Sequence, residues 1–197
     1  MKWKLAVGIF LLIWLAPLSS LHAASSEKAS QNNAGSLGEI SLMGSFSKSD
    51  FGNGTYSTTR RYTATFGLNL NVLTELEVSY AYTDNFFNGN PVQTTSVNEQ
   101  SLGLSLVQGL LPPKMVIAPY VKVGAAQYNR TQNGSISGIP TTPQVEKSPS
   151  GILGGGLRIF LLRNFSLKIE VVTYLPNFNI SGAKNNFSAQ GGIGWEF

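Results

Sequence analysis

Asn185–Phe197 (NNFSAQGGIGWEF) is the stretch whose parity decides the fold. Successive side chains of a strand point to opposite faces. Phe187, Ala189, Gly191, Ile193, Trp195 and Phe197 therefore share one face, and Ser188, Gln190, Gly192, Gly194 and Glu196 share the other. The first face carries three aromatics, two of them in the final three positions. An exposed apolar edge strand invites aggregation, so a soluble protein has little use for Trp-x-Phe there. A strand that closes a membrane barrel has good use for it, because its apolar face meets lipid and neither edge stays unpaired.

Seven earlier segments alternate in the same way, each near the ten residues that a tilted membrane strand needs. Residues 38–46 set Ile40, Leu42, Gly44 and Phe46 against Glu39, Ser41, Met43 and Ser45. Residues 61–70 set Tyr62, Ala64, Phe66, Leu68 and Leu70 against Arg61, Thr63, Thr65, Gly67 and Asn69. Residues 75–83 set Leu76, Val78, Tyr80 and Tyr82 against Glu75, Glu77, Ser79, Ala81 and Thr83. The apolar faces of the next four are Leu102, Leu104 and Leu106 in 97–107; Val121, Val123 and Ala125 in 119–128; Leu153, Leu157, Ile159 and Leu161 in 151–161; and Leu167, Ile169, Val171 and Leu175 in 166–175. Pro119 cannot donate to a ladder and is expected at a strand's first position or at a bulge. Connections 47–60, 84–96, 129–150 and 176–184 are long, and 71–74, 108–118 and 162–165 are shorter. The sequence thus predicts an all-β fold: an eight-stranded antiparallel transmembrane β-barrel with long extracellular loops and short periplasmic turns.

The barrel is expected to occupy residues 38–197. Residues 1–23 read as a cleaved signal peptide: Met1-Lys2-Trp3-Lys4 is basic, Leu5–Leu15 is apolar, and a small residue, Ala23, ends the segment. Eleven apolar residues are too few for a spanning helix, which needs about 20. Residues 24–37 (ASSEKASQNNAGSL) are small, polar and without period, and read as a disordered periplasmic lead-in. The sequence holds no Cys, which excludes a disulfide scaffold. Its formal charge of +4 falls by two without Lys2 and Lys4, a balance that does not suggest a nucleic-acid partner. Only 12% of residues are charged, about half the usual share for a soluble domain.

Alternation also fits a soluble barrel that turns its apolar set inward. Against that stands a polar face of Ser, Thr, Gly, Ala and Asn with few Lys, where a solvated exterior would be densely charged. The aromatics also fall at two heights. With both termini periplasmic, Phe46, Tyr62, Tyr82 and Phe187 reach the outer rim of the apolar face, and Trp195 and Phe197 the inner rim. The same placement puts Glu39, Glu75, Glu77, Lys122, Arg158, Lys168, Glu170 and Glu196 inside the periplasmic half of the lumen, with Arg61 alone near the top. An eight-stranded barrel is just wide enough for side chains to fill, and isolated buried charges are costly. These nine residues are therefore expected to form a lumen charge network that acts as a polar plug. A gate that opens by re-pairing the same ions is the alternative.

Little in the chain carries chemistry. Its single His, His22, lies in the signal peptide, so the usual general base and thiol nucleophile are missing. Catalytic residues, metal ligands and cofactors are not expected. The loops carry aromatics instead: Phe51 and Tyr56 in the first, Phe86 and Phe87 in the second. Such groups can anchor a partner, dip into the lipopolysaccharide boundary or pack over the barrel mouth.

Ile193, Trp195 and Phe197 resemble the C-terminal signature of bacterial outer-membrane β-barrels, an aromatic end with hydrophobic residues at alternate positions before it. In that family the signature is read by the barrel-assembly machinery. From Gly38 to Phe197 the chain resembles the small outer-membrane barrels: the OmpA transmembrane domain, OmpX and the opacity-type surface proteins. The resemblance implies an integral outer-membrane monomer in contact with lipid and lipopolysaccharide, delivered by periplasmic chaperones. It also implies a non-enzymatic surface role in which loops bind a host or extracellular ligand. The second reading is a narrow channel or conduit for small hydrophobic solutes.

Overall fold

Each alternating segment forms a strand, because period-two patterning leaves one face for lipid and one for the interior. The computed structural model describes residues 36–89, 93–111, 115–162, 164–180 and 187–197. Its strands are β1 (Gly38–Gly52), β2 (Thr55–Asn69), β3 (Thr74–Gly89), β4 (Gln93–Gly109), β5 (Ile117–Ile136), β6 (Ile139–Pro140), β7 (Gln144–Leu162), β8 (Phe165–Pro176) and β9 (Phe187–Glu196). The two-residue β6 merely folds back on the end of β5. The other eight pair antiparallel in the order β1-β2-β3-β4-β5-β7-β8-β9, and β9 returns to β1. The ring is closed and eight-stranded.

Burial follows parity, inside out relative to a soluble protein. Ile40, Leu42, Phe66, Val78, Tyr80, Leu102, Leu104, Leu153, Ile169, Val171 and Ile193 are all exposed on the outer face. Glu39, Ser41, Thr63, Thr65, Glu75, Glu77, Ser79, Lys122, Lys168 and Glu170 are buried in the lumen. A water-soluble monomer rarely exposes an apolar patch beyond a few hundred Å². A band that runs round the whole ring belongs in hydrocarbon, where a closed barrel leaves no backbone group unsatisfied. The soluble alternative is thereby removed.

The expected signal peptide, and the lead-in as far as residue 35, lie outside the described residues. Ser36 and Leu37, expected at the end of that unstructured lead-in, are instead tied to the barrel. The Leu37 N–H donates to the Phe197 carbonyl at 2.6 Å, and the Asn69 amide donates to the Ser36 carbonyl at 3.0 Å. Phe197 in turn stacks on Phe66, with ring centroids 6.0 Å apart.

Several stretches differ from their sequence expectation: most of 84–96 and 129–150, expected as loops, pairs as extensions of β3, β4, β5 and β7. Residues 47–60, expected as a loop, continue β1 and β2 past a bulge between Asp50 and Gly52 to a turn at Asn53-Gly54. Both residues have positive φ, 54° and 76°, the geometry of a type I′ hairpin that Asn-Gly favours. Ser137-Gly138 repeats it between β5 and β6, with φ of 52° and 81°. Leu175, expected on the outer apolar face, is only 5% exposed. The chain turns back after Pro176 through Asn177 and Phe178, both left-handed at φ of 52° and 57°. The Phe178 ring then lies over Gly151 beside Leu175. A left-handed Phe costs roughly 1–2 kcal/mol, and the burial of Leu175 offsets it.

Candidate functional site in the barrel lumen

The short turns, the start of β1 and Phe197 share one mouth of the barrel; the hairpins share the other. Inward positions near the terminal mouth bring together residues from β1, β3, β5, β7 and β8. The Lys122 ammonium lies 2.9 Å from Glu77 and 2.8 Å from Glu170. The Lys168 ammonium lies 2.5 Å from Glu39, 3.3 Å from the Ser41 hydroxyl and 4.0 Å from Glu77. Arg158 donates to Glu75 through a terminal nitrogen. Its Nε is 3.3 Å from Glu39 Oε2 but lacks hydrogen-bond alignment, so that contact is electrostatic only.

Neutral groups complete the network. The Tyr120 hydroxyl donates to Glu170 at 2.9 Å, and its ring faces both Arg158 and Lys168. The Gln190 amide donates to the other Glu170 oxygen at 2.8 Å and accepts from Thr63 at 2.8 Å. Tyr120 and Gln190 were not singled out by charge, although their inward parity was visible in the sequence. Room for these side chains comes from glycines on neighbouring strands. The Glu75 carboxylate fills the space where Gly67 would carry a Cβ, and the Tyr120 hydroxyl lies 2.8 Å from the corresponding point on Gly156. In the Gly154–Gly156 run, Gly156 thus makes space for a lumen side chain.

Of the nine charged residues expected in the network, seven are joined by ion pairs: Glu39, Glu75, Glu77, Lys122, Arg158, Lys168 and Glu170. Among the described residues Glu196 and Arg61 have no ion-pair partner. Glu196 lines a cavity of about 60 Å³ at the terminal mouth, together with Glu75 and Arg158. Arg61 lies on the far side of an apolar layer made by Ala126, Ile152, Val172 and Tyr174. Its guanidinium sits 4.6 Å from the centre of the Tyr174 ring. Four buried carboxylates meet three bases in the joined set, so it holds one surplus negative charge when fully ionised. Such an arrangement can seal and brace a lumen. Ile193, Trp195 and Phe197 all face outward on the lipid side of the last strand.

A closed ring with an apolar exterior and a polar, ion-paired interior defines a transmembrane β-barrel. The chain belongs to the outer membrane protein beta-barrel domain family, whose model matches residues 11–197. Membership implies an integral outer-membrane location. Among solved structures it is similar to the N-terminal β-barrel domain of Pseudomonas aeruginosa OprF, with 20% identity and a TM-score of 0.55 over 81% of this chain and 99% of that one. Neisserial surface protein A gives 12% identity and a TM-score of 0.55, covering 82% and 98%. Ail, the attachment invasion locus protein of Yersinia pestis, gives 16% identity and a TM-score of 0.50, covering 81% and 99%. At these identities the likeness is one of fold. No curated protein matches the sequence.

Proposed function

We propose that this is a non-enzymatic surface barrel whose hairpins bind an extracellular partner, with both termini in the periplasm. The contrast between the two mouths carries this reading. One mouth is sealed by buried ion pairs. At the other, strands continue beyond the Phe46 and Tyr62 girdle as stiff hairpins rather than floppy loops. The hairpins carry paired aromatics: Phe51 with Phe87 at 6.5 Å between centroids, and Tyr56 with Phe86 at 6.0 Å. The Lys48 ammonium lies 5.3 Å from the Tyr56 ring centre. Aromatic and cationic groups on a rigid support are the usual anchors of an interface.

Supporting contacts follow from position. Lys48 and Arg60 are exposed on the outward face, Arg60 level with Phe46 and Lys48 just beyond it, a position suited to lipopolysaccharide phosphates. Outward-facing Ile193, Trp195 and Phe197 suit recognition by periplasmic chaperones and the barrel-assembly machinery. A ring with no open edge needs no second copy, which supports a monomer. A conduit would require the lumen ion pairs to separate, at roughly 3–5 kcal/mol for each buried charge left without its partner.

The test combines planar-bilayer current with cell adhesion for wild type, a Phe51→Ala/Phe87→Ala variant and a Tyr56→Ala/Phe86→Ala variant. The expected result is no steady current, and adhesion that drops in the variants while the heat-modifiable folded band persists. A steady current altered by Arg158→Ala, with adhesion indifferent to the hairpins, would overturn the surface role in favour of the channel.

A further inference from the structure

Arg61 is out of place as a structural residue. It is only 8% exposed, yet none of the ion pairs among the described residues includes it. Its Nε–H is buried without an acceptor. The other buried lumen bases among the described residues, Lys122, Arg158 and Lys168, are each paired with carboxylates. A guanidinium with a buried, unpaired Nε–H and no ion-paired carboxylate is costly, and the Tyr174 face beside it contributes only about 0.5–2 kcal/mol.

The space beside it is a cavity. About 290 Å³ opens between the apolar layer and the hairpins, with Arg61 and Tyr174 in its wall. The rest of the wall is largely hydroxyl and amide, including Thr59, Thr83, Asn85 and Gln100. Its one carboxylate, Glu99, faces Arg130 at 3.8 Å, so the local balance stays positive. A forked guanidinium fits an oxyanion. The hydroxyl and amide wall fits a polyhydroxylated body, and the volume sits near the lower end of small-molecule sites.

We propose that this vestibule binds an oxyanion carried on a sugar-sized polar molecule, an acidic monosaccharide or the acidic end residue of a glycan, with Arg61 as the anion-recognising group. The site is separate from the aromatic hairpin surface. It stands on the lumen geometry alone, whichever way the barrel faces.

The experiment uses the folded protein in zwitterionic detergent micelles, titrated at constant ionic strength and followed by amide NMR shifts. The probes are sodium glucuronate, a glucuronate-terminated oligosaccharide and, as neutral control, glucose. Saturable shifts around Arg61, Thr83 and Asn85 are expected with an acidic probe and not with glucose. Saturation by free glucuronate marks a small-solute site, and saturation by the oligosaccharide alone marks a glycan end; either supports the proposal. Arg61→Gln should weaken binding roughly tenfold or more, the scale of a lost charge-assisted pair. Its folded band should persist, since no carboxylate loses a partner. The proposal is overturned if neither acidic probe saturates, if glucose binds equally, or if Arg61→Gln binds as wild type does. It is also overturned if Arg61→Gln unfolds the barrel and Arg61→Lys, which folds, binds as tightly as wild type.

Discussion

The Lys168 ammonium sits 2.5 Å from Glu39 in a side chain that is 1% exposed, so no water can replace a lost partner. Lys168→Met should destabilise the barrel by roughly 3–5 kcal/mol, the scale for stranding one half of a buried pair. The readout is the midpoint of denaturant unfolding in micelles. Adding Glu39→Gln should recover part of the loss, because the stranded carboxylate is then neutral. Gly67→Ala is the second residue-scale case. A Cβ there occupies the position of the Glu75 carboxylate, the partner of Arg158. The expected result is a lower unfolding midpoint, with a smaller loss when the same change is made in a Glu75→Ala background. Parity and charge sufficed to send these residues to one end of the lumen. Which carboxylate meets which base could not be read, because Glu39 and Lys168 are brought together only when the ring closes.

At the scale of elements, the seam between β1 and β9 is short, six partnered residues from Glu39–Glu196 to Gly44–Gly191. Its first pair sets two inward carboxylates opposite one another, and like charges so placed are destabilising. Glu39 has Lys168 and Arg158 beside it, whereas Glu196 is in no ion pair among the described residues. Glu196→Gln should therefore raise the unfolding midpoint by the equivalent of about 0.2–1 kcal/mol. The same seam depends on Phe197, whose carbonyl accepts from the Leu37 and Gly38 N–H groups, whose N–H donates to the Gly38 carbonyl, and whose ring stacks on Phe66. Its deletion should reduce or abolish the compact gel band that slows on heating. The extent of the hairpins was also available in principle. Asn53-Gly54 between alternating runs is a strong hairpin signal, but the roughly ten residues that a membrane crossing requires end before it, so strand length alone assigns 47–60 to a loop. Leu175 is different. Its burial depends on Phe178 folding back over Gly151, a contact no periodicity announces.

For the whole molecule, the apolar exterior and charged interior imply one orientation-dependent outcome. A short epitope inserted at Ser137-Gly138 should be labelled on intact cells, and one inserted at Asn71-Val72 should be labelled only after the outer membrane is opened. The reverse pattern would invert the topology proposed here. The eight strands, their faces and the inward set of charges were determined by the sequence alone, because side-chain alternation is a local property of an extended chain. Tertiary structure decided the rest. Ring closure chose the ion pairs and separated Arg61 from the other charges by the apolar layer of Ala126, Ile152, Val172 and Tyr174. Strand stagger left the cavity above that layer. These are distances across a lumen, between strands far apart in the chain, and a one-dimensional pattern carries no record of them.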